Sequence, residues 1–286
     1  MSLRSVLPAC LLTTMIAAEP APIDVRLDAA QARFADGVLT VDTGRISRSW
    51  RVAADGLATT AIRSGTRTWS AASATEADWS WPGIAAGAAD VTAIDAAPDD
   101  DEGRATRHLR VRVAMRQAAR EVELVVWAFP GADGLRQQLR IRGAAGAAAA
   151  DATKSAARRS ESIPVRAAAW RAAGYHNDTQ HFKEALLKEE DAAPGALPWA
   201  SLLWTQDAQG GLMAVEESHR CVNQAGIGGA GWELTADGLR LDAWALQPKD
   251  LRADAWRTTF ATWLVAWEGG ADARELALKR FQRLRQ

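Results

Sequence analysis

Hydrophobic and polar residues alternate one by one along most of the chain after residue 36. In residues 107–115 the apolar positions are Leu109, Val111, Val113 and Met115. Residues 122–126 and 135–141 repeat this pattern, and the turn-forming pairs Pro130-Gly131 and Asp133-Gly134 lie between them. A period of two is typical of strands with one buried face and one face in water. The three segments therefore predict an antiparallel meander.

Similar segments recur towards both ends of the chain. They are residues 38–42, 46–52, 57–62, 201–205, 211–217, 239–246 and 256–267. Asp42-Thr43-Gly44 and Asp55-Gly56 are turn signals between the first three of these segments. About a dozen strands are more than one open sheet usually holds. We therefore predict an all-β fold, a large sandwich of two stacked antiparallel sheets.

One amphipathic helix is predicted at the C-terminus, over residues 272–285. Asp272 and Glu275 are spaced as a capping pair at the start of the helix. The apolar stripe of the helix consists of Ala273, Ala277, Phe281 and Leu284. Such a stripe needs a surface to pack against. Without another domain to cover it, we expect self-association, so a homo-oligomer is one predicted assembly.

The first residues have the features of an export signal. Arg4 precedes an apolar stretch at residues 6–18, which is too short to span a membrane, and a small residue, Ala18, precedes Glu19. We predict a signal peptide at residues 1–18, a β-sandwich domain at residues 19–270 and a connector helix at residues 271–286. The mature protein is then expected in the periplasm or outside the cell.

Composition excludes several classes of partner. Lys and Arg total 34 and Asp and Glu total 35, a net charge of −1, so no basic field favours nucleic acid. No apolar run reaches the ~18 residues of a membrane span, and we expect no membrane partner after export. Phosphate-binding, zinc and nucleophile motifs are absent from the sequence, so we expect no cofactor and no metal and assign no catalytic residue.

The Asp78–Trp81 segment is the first candidate for carbohydrate contact. Trp79 and Trp81 would share one face of a strand next to the Asp78 carboxylate. Indole rings can stack on the apolar face of a sugar while a carboxylate binds its hydroxyls. The alternative is that these tryptophans pack in the core.

A second candidate is the polar segment at residues 175–181. His176, Asp178 and His181 could bind a sugar or a metal, and the alternative is a loop whose polar groups satisfy one another. A weaker acid/base set consists of Glu216, Glu217 and His219, because Glu216 and Glu217 point to opposite faces and an exposed strand edge explains these residues better.

Several segments resemble the N-terminal β-sandwich of α-galactosidase-like enzymes of glycoside hydrolase family 36. The opening strands of that domain resemble residues 39–50 (LTVDTGRISRSW) and 55–60 (DGLATT). Its closing strands resemble residues 201–204 (SLLW), 211–215 (GLMAV), 244–250 (WALQPKD) and 259–265 (TFATWLV). The resemblance covers about residues 37–286. Lys249 departs from it, because the family usually has Gly at this turn position.

The resemblance implies a galactose-mutarotase-like super-sandwich whose partners are an α-galactoside-like carbohydrate and a catalytic barrel. In the family, two catalytic aspartates lie in the (β/α)₈ barrel that follows the sandwich. The printed sequence ends where that barrel would begin, so no catalytic residue is transferred and we expect this chain alone to be inactive. Two alternatives stay open: a free-standing carbohydrate-binding protein, and an aldose-epimerase-type enzyme using Glu217 with His176 or His219.

Overall fold

The computed structural model describes residues 20–53, 55–70, 77–80, 89–100, 107–117, 120–143, 159–176, 186–217, 231–243 and 251–284. These residues form antiparallel β-strands and a C-terminal helix, α1 (Ala271–Leu284). The strands are β1 (Ile23–Leu27), β2 (Ala30–Ala35), β3 (Val38–Asp42), β4 (Ile46–Ala53), β5 (Gly56–Ser64), β6 (Arg67–Thr68), β7 (Trp79–Ser80), β8 (Ala89–Asp99), β9 (His108–Gln117), β10 (Arg120–Ala128), β11 (Gly134–Arg142), β12 (Arg159–Ile163), β13 (Trp170–His176), β14 (Leu186–Ala192), β15 (Gly195–Leu197), β16 (Leu202–Gln206), β17 (Gly210–Glu216), β18 (Gly231–Thr235), β19 (Gly238–Ala243), β20 (Arg257–Thr258) and β21 (Thr262–Glu268).

Strands β1 to β6 form a six-stranded sheet in which each strand pairs with the next one along the chain. Its hairpin turns are tight, and Asp28, Asp36 and Gly44 have positive φ angles of 50°, 52° and 91°. Aspartate tolerates this conformation better than most residues. At Gly44 an added Cβ would also lie 3.0 Å from the Cβ of Ala29. The turn predicted at residues 42–44 is therefore present between β3 and β4.

The largest sheet has ten strands in the order β14-β13-β16-β17-β21-β11-β10-β9-β8, with β20 paired to β11. The predicted meander is confirmed as β9, β10 and β11, where Leu124 lies opposite both Val113 and Leu139. Strand β21 lies between β17 and β11. It therefore joins two halves of the sheet that come from distant parts of the sequence.

The third sheet has five strands, in the order β15-β18-β19-β12-β7. Its buried residues Trp232 and Leu241 share one hydrophobic core with Phe34 of the six-stranded sheet and Leu109 of the ten-stranded sheet. The two smaller sheets thus cover the same face of the large one, which we call its inner face. The fold is the predicted all-β sandwich with a C-terminal helix. Its second layer consists of two sheets where the sequence indicated one.

Helix α1 packs on the opposite, outer face of the ten-stranded sheet, against β17 and β21. Ala277 and Phe281 are buried there, and the Phe281 ring meets the Trp263 ring edge-on with centroids 5.0 Å apart. The helix begins at Ala271, so the predicted cap at Asp272 is wrong by two residues: the Gly270 carbonyl accepts the first hydrogen bonds. The apolar stripe of the helix, which was expected to need a partner, packs on the ten-stranded sheet of the same chain.

Candidate functional site

A buried ionic cluster lies where the three sheets meet, and Arg48 of β4 is at its centre. The Arg48 guanidinium donates to Asp78 at 2.8 Å, to Glu161 of β12 at 2.9 Å and to Gln137 of β11 at 2.7 Å. Its Nε donates to the Thr59 hydroxyl at 2.8 Å. The side chains of Arg48, Asp78 and Glu161 have no exposed surface. One residue therefore ties β4, β5, β11, β12 and the segment before β7 together.

The Asp78 carboxylate is held from several sides. It accepts hydrogen bonds from the Thr59 main-chain N–H at 2.9 Å and from the Thr59 hydroxyl at 2.5 Å, in addition to Arg48. The Asp78 main chain links Leu57 of β5 to Ser162 of β12, at 2.8 Å on each side. Asp78 thus joins the six-stranded and five-stranded sheets through its side chain and its backbone.

Burial raises the pKa of Asp78 from 3.8 to about 6, although Arg48 and the hydrogen bonds from Thr59 act in the opposite direction. Two carboxylates, Asp78 and Glu161, share a single guanidinium in a space without solvent. The cluster therefore has an excess of negative charge, which protonation of Asp78 removes at mildly acidic pH.

Trp79, the predicted sugar-stacking residue, lies beside this cluster and is 9% exposed. The guanidinium carbon of Arg48 is 5.8 Å from the Trp79 ring centroid and 5.1 Å from that of Trp50. The structure thus places Asp78 and Trp79 in the interior. This agrees with the alternative interpretation, in which the tryptophan packs in the core. Trp81 lies outside the described residues. Carbohydrate contact by these residues stays a prediction.

The second predicted segment is described only in part. His176 is the last residue of β13, and only its backbone is described. Asp178 and His181 lie outside the described residues, so their contact with a sugar also stays a prediction. The structure does not bring this segment and the Asp78 cluster together among the residues that it describes.

Glu217 is held by Arg136 of β11 in a two-pronged ion pair, with nitrogen–oxygen distances of 2.7 and 3.0 Å. The Arg136 guanidinium also lies over the Trp127 ring, 4.2 Å from its centroid. His219 lies outside the described residues. The glutamate that an epimerase-type mechanism would use is thus engaged in an ion pair on the outer face of the large sheet.

The sequence-based prediction did not include Arg48, although the residues around it indicate that it is buried. Ile46, Arg48 and Trp50 have the spacing of one strand face, and the two flanking residues are large and apolar. An arginine between two core residues indicates a buried charge that needs carboxylate partners. The carboxylate partners of Arg48 could not be predicted from the sequence, because Glu161 is 113 residues away.

Within the described stretches of the chain, no helix is long and apolar enough to cross a membrane. No group of three or more His, Cys, Asp or Glu side chains in the same stretches could hold a metal ion.

The fold is a large antiparallel β-sandwich, and solved structures of two kinds of protein share it. The α-galactosidase AgaB of family 36 from Geobacillus stearothermophilus is 10% identical with a TM-score of 0.55; the match covers 88% of this chain and 43% of that chain. An AgaA variant from the same organism, in complex with 1-deoxygalactonojirimycin, is 11% identical with a TM-score of 0.54, covering 86% and 43%. The resemblance to the family is therefore confirmed at the level of the fold.

A second kind of protein matches this fold over most of its length. A putative aldose 1-epimerase from Klebsiella pneumoniae is 8% identical with a TM-score of 0.51, and the match covers 92% of this chain and 91% of that one. By contrast, this chain spans less than half the length of the α-galactosidases that it matches. No family model and no curated protein sequence matches the chain.

Proposed function

We propose that this chain is the sandwich domain of an exported α-galactosidase-like glycoside hydrolase, which supports a catalytic barrel and shapes its sugar site. The observation behind the proposal is the unequal coverage: 86–88% of this chain superimposes on only 43% of each α-galactosidase. The remaining part of such an enzyme has room for a separate catalytic domain.

A supporting, non-catalytic role agrees with the state of the best-placed carboxylates. Glycoside hydrolysis needs two carboxyl groups facing the scissile bond from either side. Asp78 and Glu161 have no exposed side-chain surface, and Glu217 is bound to Arg136. In this proposal, the catalytic pair comes from the barrel, and the sandwich provides a rigid wall for it.

The reading frame of the source gene and an activity assay test the proposal together. We expect the frame to continue past the codon of Gln286 into a barrel with two catalytic carboxylates. The purified chain should not hydrolyse an aryl α-galactoside. A stop codon directly after Gln286 would contradict the domain assignment. Hydrolysis that is lost when a single Asp or Glu of this chain is replaced would contradict the supporting role.

The match to a putative aldose 1-epimerase, which covers 92% of this chain and 91% of that one, favours a second candidate, a free-standing sugar-binding or sugar-converting protein. An epimerase of this kind would need a glutamate and a histidine facing one sugar, for which the candidates are Glu217 with His176 or His219. Polarimetry on freshly dissolved α-galactose separates the two functions. A rate of mutarotation that rises with protein concentration and falls in Glu217→Gln supports the epimerase and contradicts the domain proposal.

We propose export on the basis of the N-terminal sequence, with Arg4 followed by the apolar stretch at residues 6–18. The expected mature protein begins at Glu19. Mass spectrometry of the protein released from the periplasm of an expressing bacterium tests this. An intact chain that still contains residues 1–18 and stays in the cytoplasmic fraction would contradict it.

A further inference from the structure

The outer face of the ten-stranded sheet contains a polar groove of about 370 Å³ on strands β8 to β11. We call it the Trp256 groove, and its lining includes Arg112, Arg116, Glu121, Glu123, Arg142 and Trp256. The volume lies within the roughly 300–1,000 Å³ typical of small-molecule sites. The groove is separate from the Asp78 cluster, which is on the inner side of the same sheet.

Strand alternation explains why the groove is polar. The residues between its polar positions, such as Val111, Val113 and Leu124, point to the inner face and are fully buried. The outward positions are free to be charged, and neighbouring strands place opposite charges next to each other. The groove is thus a product of the same period of two that predicts the sheet.

The charges in the groove are paired with one another. Arg112 contacts Asp95 at 2.8 Å and Glu123 at 3.0 Å, and the hydrogen bond to Asp95 raises the pKa of Arg112. Glu123 also contacts Arg140 at 3.3 Å. The pairs place N–H donors next to carboxylate oxygens, an arrangement that suits vicinal hydroxyl groups.

The other charges of the groove also have opposite charges nearby. Arg142 contacts Glu121, and Arg116 occupies the position opposite Asp90 in the register of β8 and β9. The lining itself has three arginines and two glutamates, and the adjacent Asp90, Asp95 and Arg140 bring the total to four basic and four acidic side chains. A balanced groove has no strong field for an anion and favours an uncharged, hydrogen-bonding ligand.

Trp256 forms one wall of the groove and is half-buried. The guanidinium carbons of Arg140 and Arg142 are 5.2 and 4.9 Å from its ring centroid. The next two residues, β20, pair with β11 and fix the position of the ring. Cation–π contacts and backbone pairing thus hold an indole ring beside the paired charges before any ligand arrives.

We propose that the Trp256 groove binds a neutral pyranose, with the Trp256 ring against the C–H face of the sugar and the arginine–glutamate pairs bound to its hydroxyls. An indole beside paired hydrogen-bond donors and acceptors offers both of the contacts that a pyranose needs. This site does not require a catalytic barrel. The inference goes beyond the proposed function and stands or falls separately from it.

The test is a titration of the purified full chain with raffinose, measured by isothermal calorimetry and by ligand-observed NMR. Trp256→Ala and Arg116→Gln are the test variants, and Arg110→Gln is the matched control. Arg110 lies on the same strand and face as Arg116, pairs with Asp99 at 2.9 Å and is not among the residues that line the groove. We expect the wild type and Arg110→Gln to bind equally and both test variants to bind at least about tenfold more weakly.

Exposed Arg116 keeps the test interpretable if Trp256→Ala disturbs the fold, because its replacement by Gln removes no buried contact. A wild-type chain that shows no raffinose binding in either measurement would overturn the inference. So would equal affinity in the wild type and both test variants. Binding of galacturonate or inorganic phosphate in the groove without binding of raffinose would overturn the assignment of a neutral ligand.

Discussion

Arg48 is positively charged at a position with no solvent contact, and it balances only one of the two carboxylates that touch it. Removing the cation while leaving both acids would isolate negative charge in a medium of low polarity, which is much more costly than losing a surface ion pair. Arg48 therefore supplies the positive charge that offsets the burial of Asp78 and Glu161.

Replacing Arg48 with Met should lower the free energy of unfolding by about 3–5 kcal/mol, because Asp78 and Glu161 would lose their shared cation. Urea denaturation measures the change. Arg67→Met is the matched control, since Arg67 pairs with Asp207 at 2.7 Å but the two side chains are 34% and 49% exposed. The control should lose at most about 1 kcal/mol. Equal losses in the two variants would contradict the assigned role of Arg48.

The raised pKa of Asp78 predicts a pH dependence with a definite sign. The folded state keeps a proton on Asp78 up to about pH 6, whereas the unfolded chain releases it near 3.8. The contribution of Asp78 to stability is therefore fully present below pH 3.8 and falls as pH rises through this window, by at most about 3 kcal/mol. Asp78→Asn should remove this fall.

The measurement is the difference in unfolding free energy between Asp78→Asn and the wild type from pH 4.5 to 7. It should shift in favour of the variant as pH rises and level off above pH 6. Asp207→Asn is the control, because the hydrogen bond from Arg67 lowers the pKa of Asp207. Its contribution is lost only below that window, so its difference curve should stay flat. A flat curve for Asp78→Asn would show that Asp78 is ionised throughout.

At the scale of elements, helix α1 is part of the sandwich itself. It covers an aromatic surface on the outer face that includes Trp204, Trp263 and Trp267. Each of these rings is at most 4% exposed. Helix and sheet together bury a second hydrophobic cluster on the opposite side of the sheet from the main core.

Phe281→Ala should lower the free energy of unfolding by about 3–5 kcal/mol, because it removes the ring that packs on Trp263. Leu276→Ala on the same helix is the control, since Leu276 is 49% exposed. That variant should stay within about 0.5 kcal/mol of the wild type. Chemical denaturation followed by circular dichroism measures both. A small effect of Phe281→Ala would show that the helix contributes little to the stability of the domain.

A chain shortened to end at Gly270 should self-associate more than the full chain. Removing α1 uncovers Trp263 and Trp267, whereas the full chain keeps them buried. From the sequence, the apolar stripe of the helix was predicted to be exposed and to cause self-association of the full chain. In the structure this stripe packs on the sheet, so we now expect the shortened chain to be the one that associates more. Light scattering at matched concentration compares the two chains. Greater association of the full chain would instead support a homo-oligomer formed through the helix.

Local patterns predicted single strands and the helix well, because the spacing of apolar residues within a segment indicates which of its faces is buried. Strands β9 to β11 and the turn after Asp42 follow directly from alternation and turn chemistry. The partner of the Phe281 stripe and the pairing of β12 with both β7 and β19 did not follow. These contacts depend on whether surfaces from distant parts of the chain are complementary. The residues of one stripe or one strand do not indicate which distant surface that is.

At the scale of the whole molecule, the described residues form one sandwich with two different sides. The inner side of the ten-stranded sheet is covered by two smaller sheets that the Arg48 cluster joins. The outer side is covered by α1 at one end and bears the charged Trp256 groove at the other. This division leaves a rigid support with an accessible polar surface, which agrees with either proposed role in carbohydrate chemistry.

The position of β21 has a consequence for synthesis on the ribosome. β21 lies at the middle of the ten-stranded sheet, yet among the described strands it is the last in chain order and leaves the exit tunnel after the others. Until it emerges, its two neighbours in the sheet lack their partner: β11, at the edge of β8 to β11, and β17, at the edge of β13, β14, β16 and β17. Open strand edges are sites of aggregation, so nascent chains that stall before Thr262 should depend on chaperones far more than completed ones.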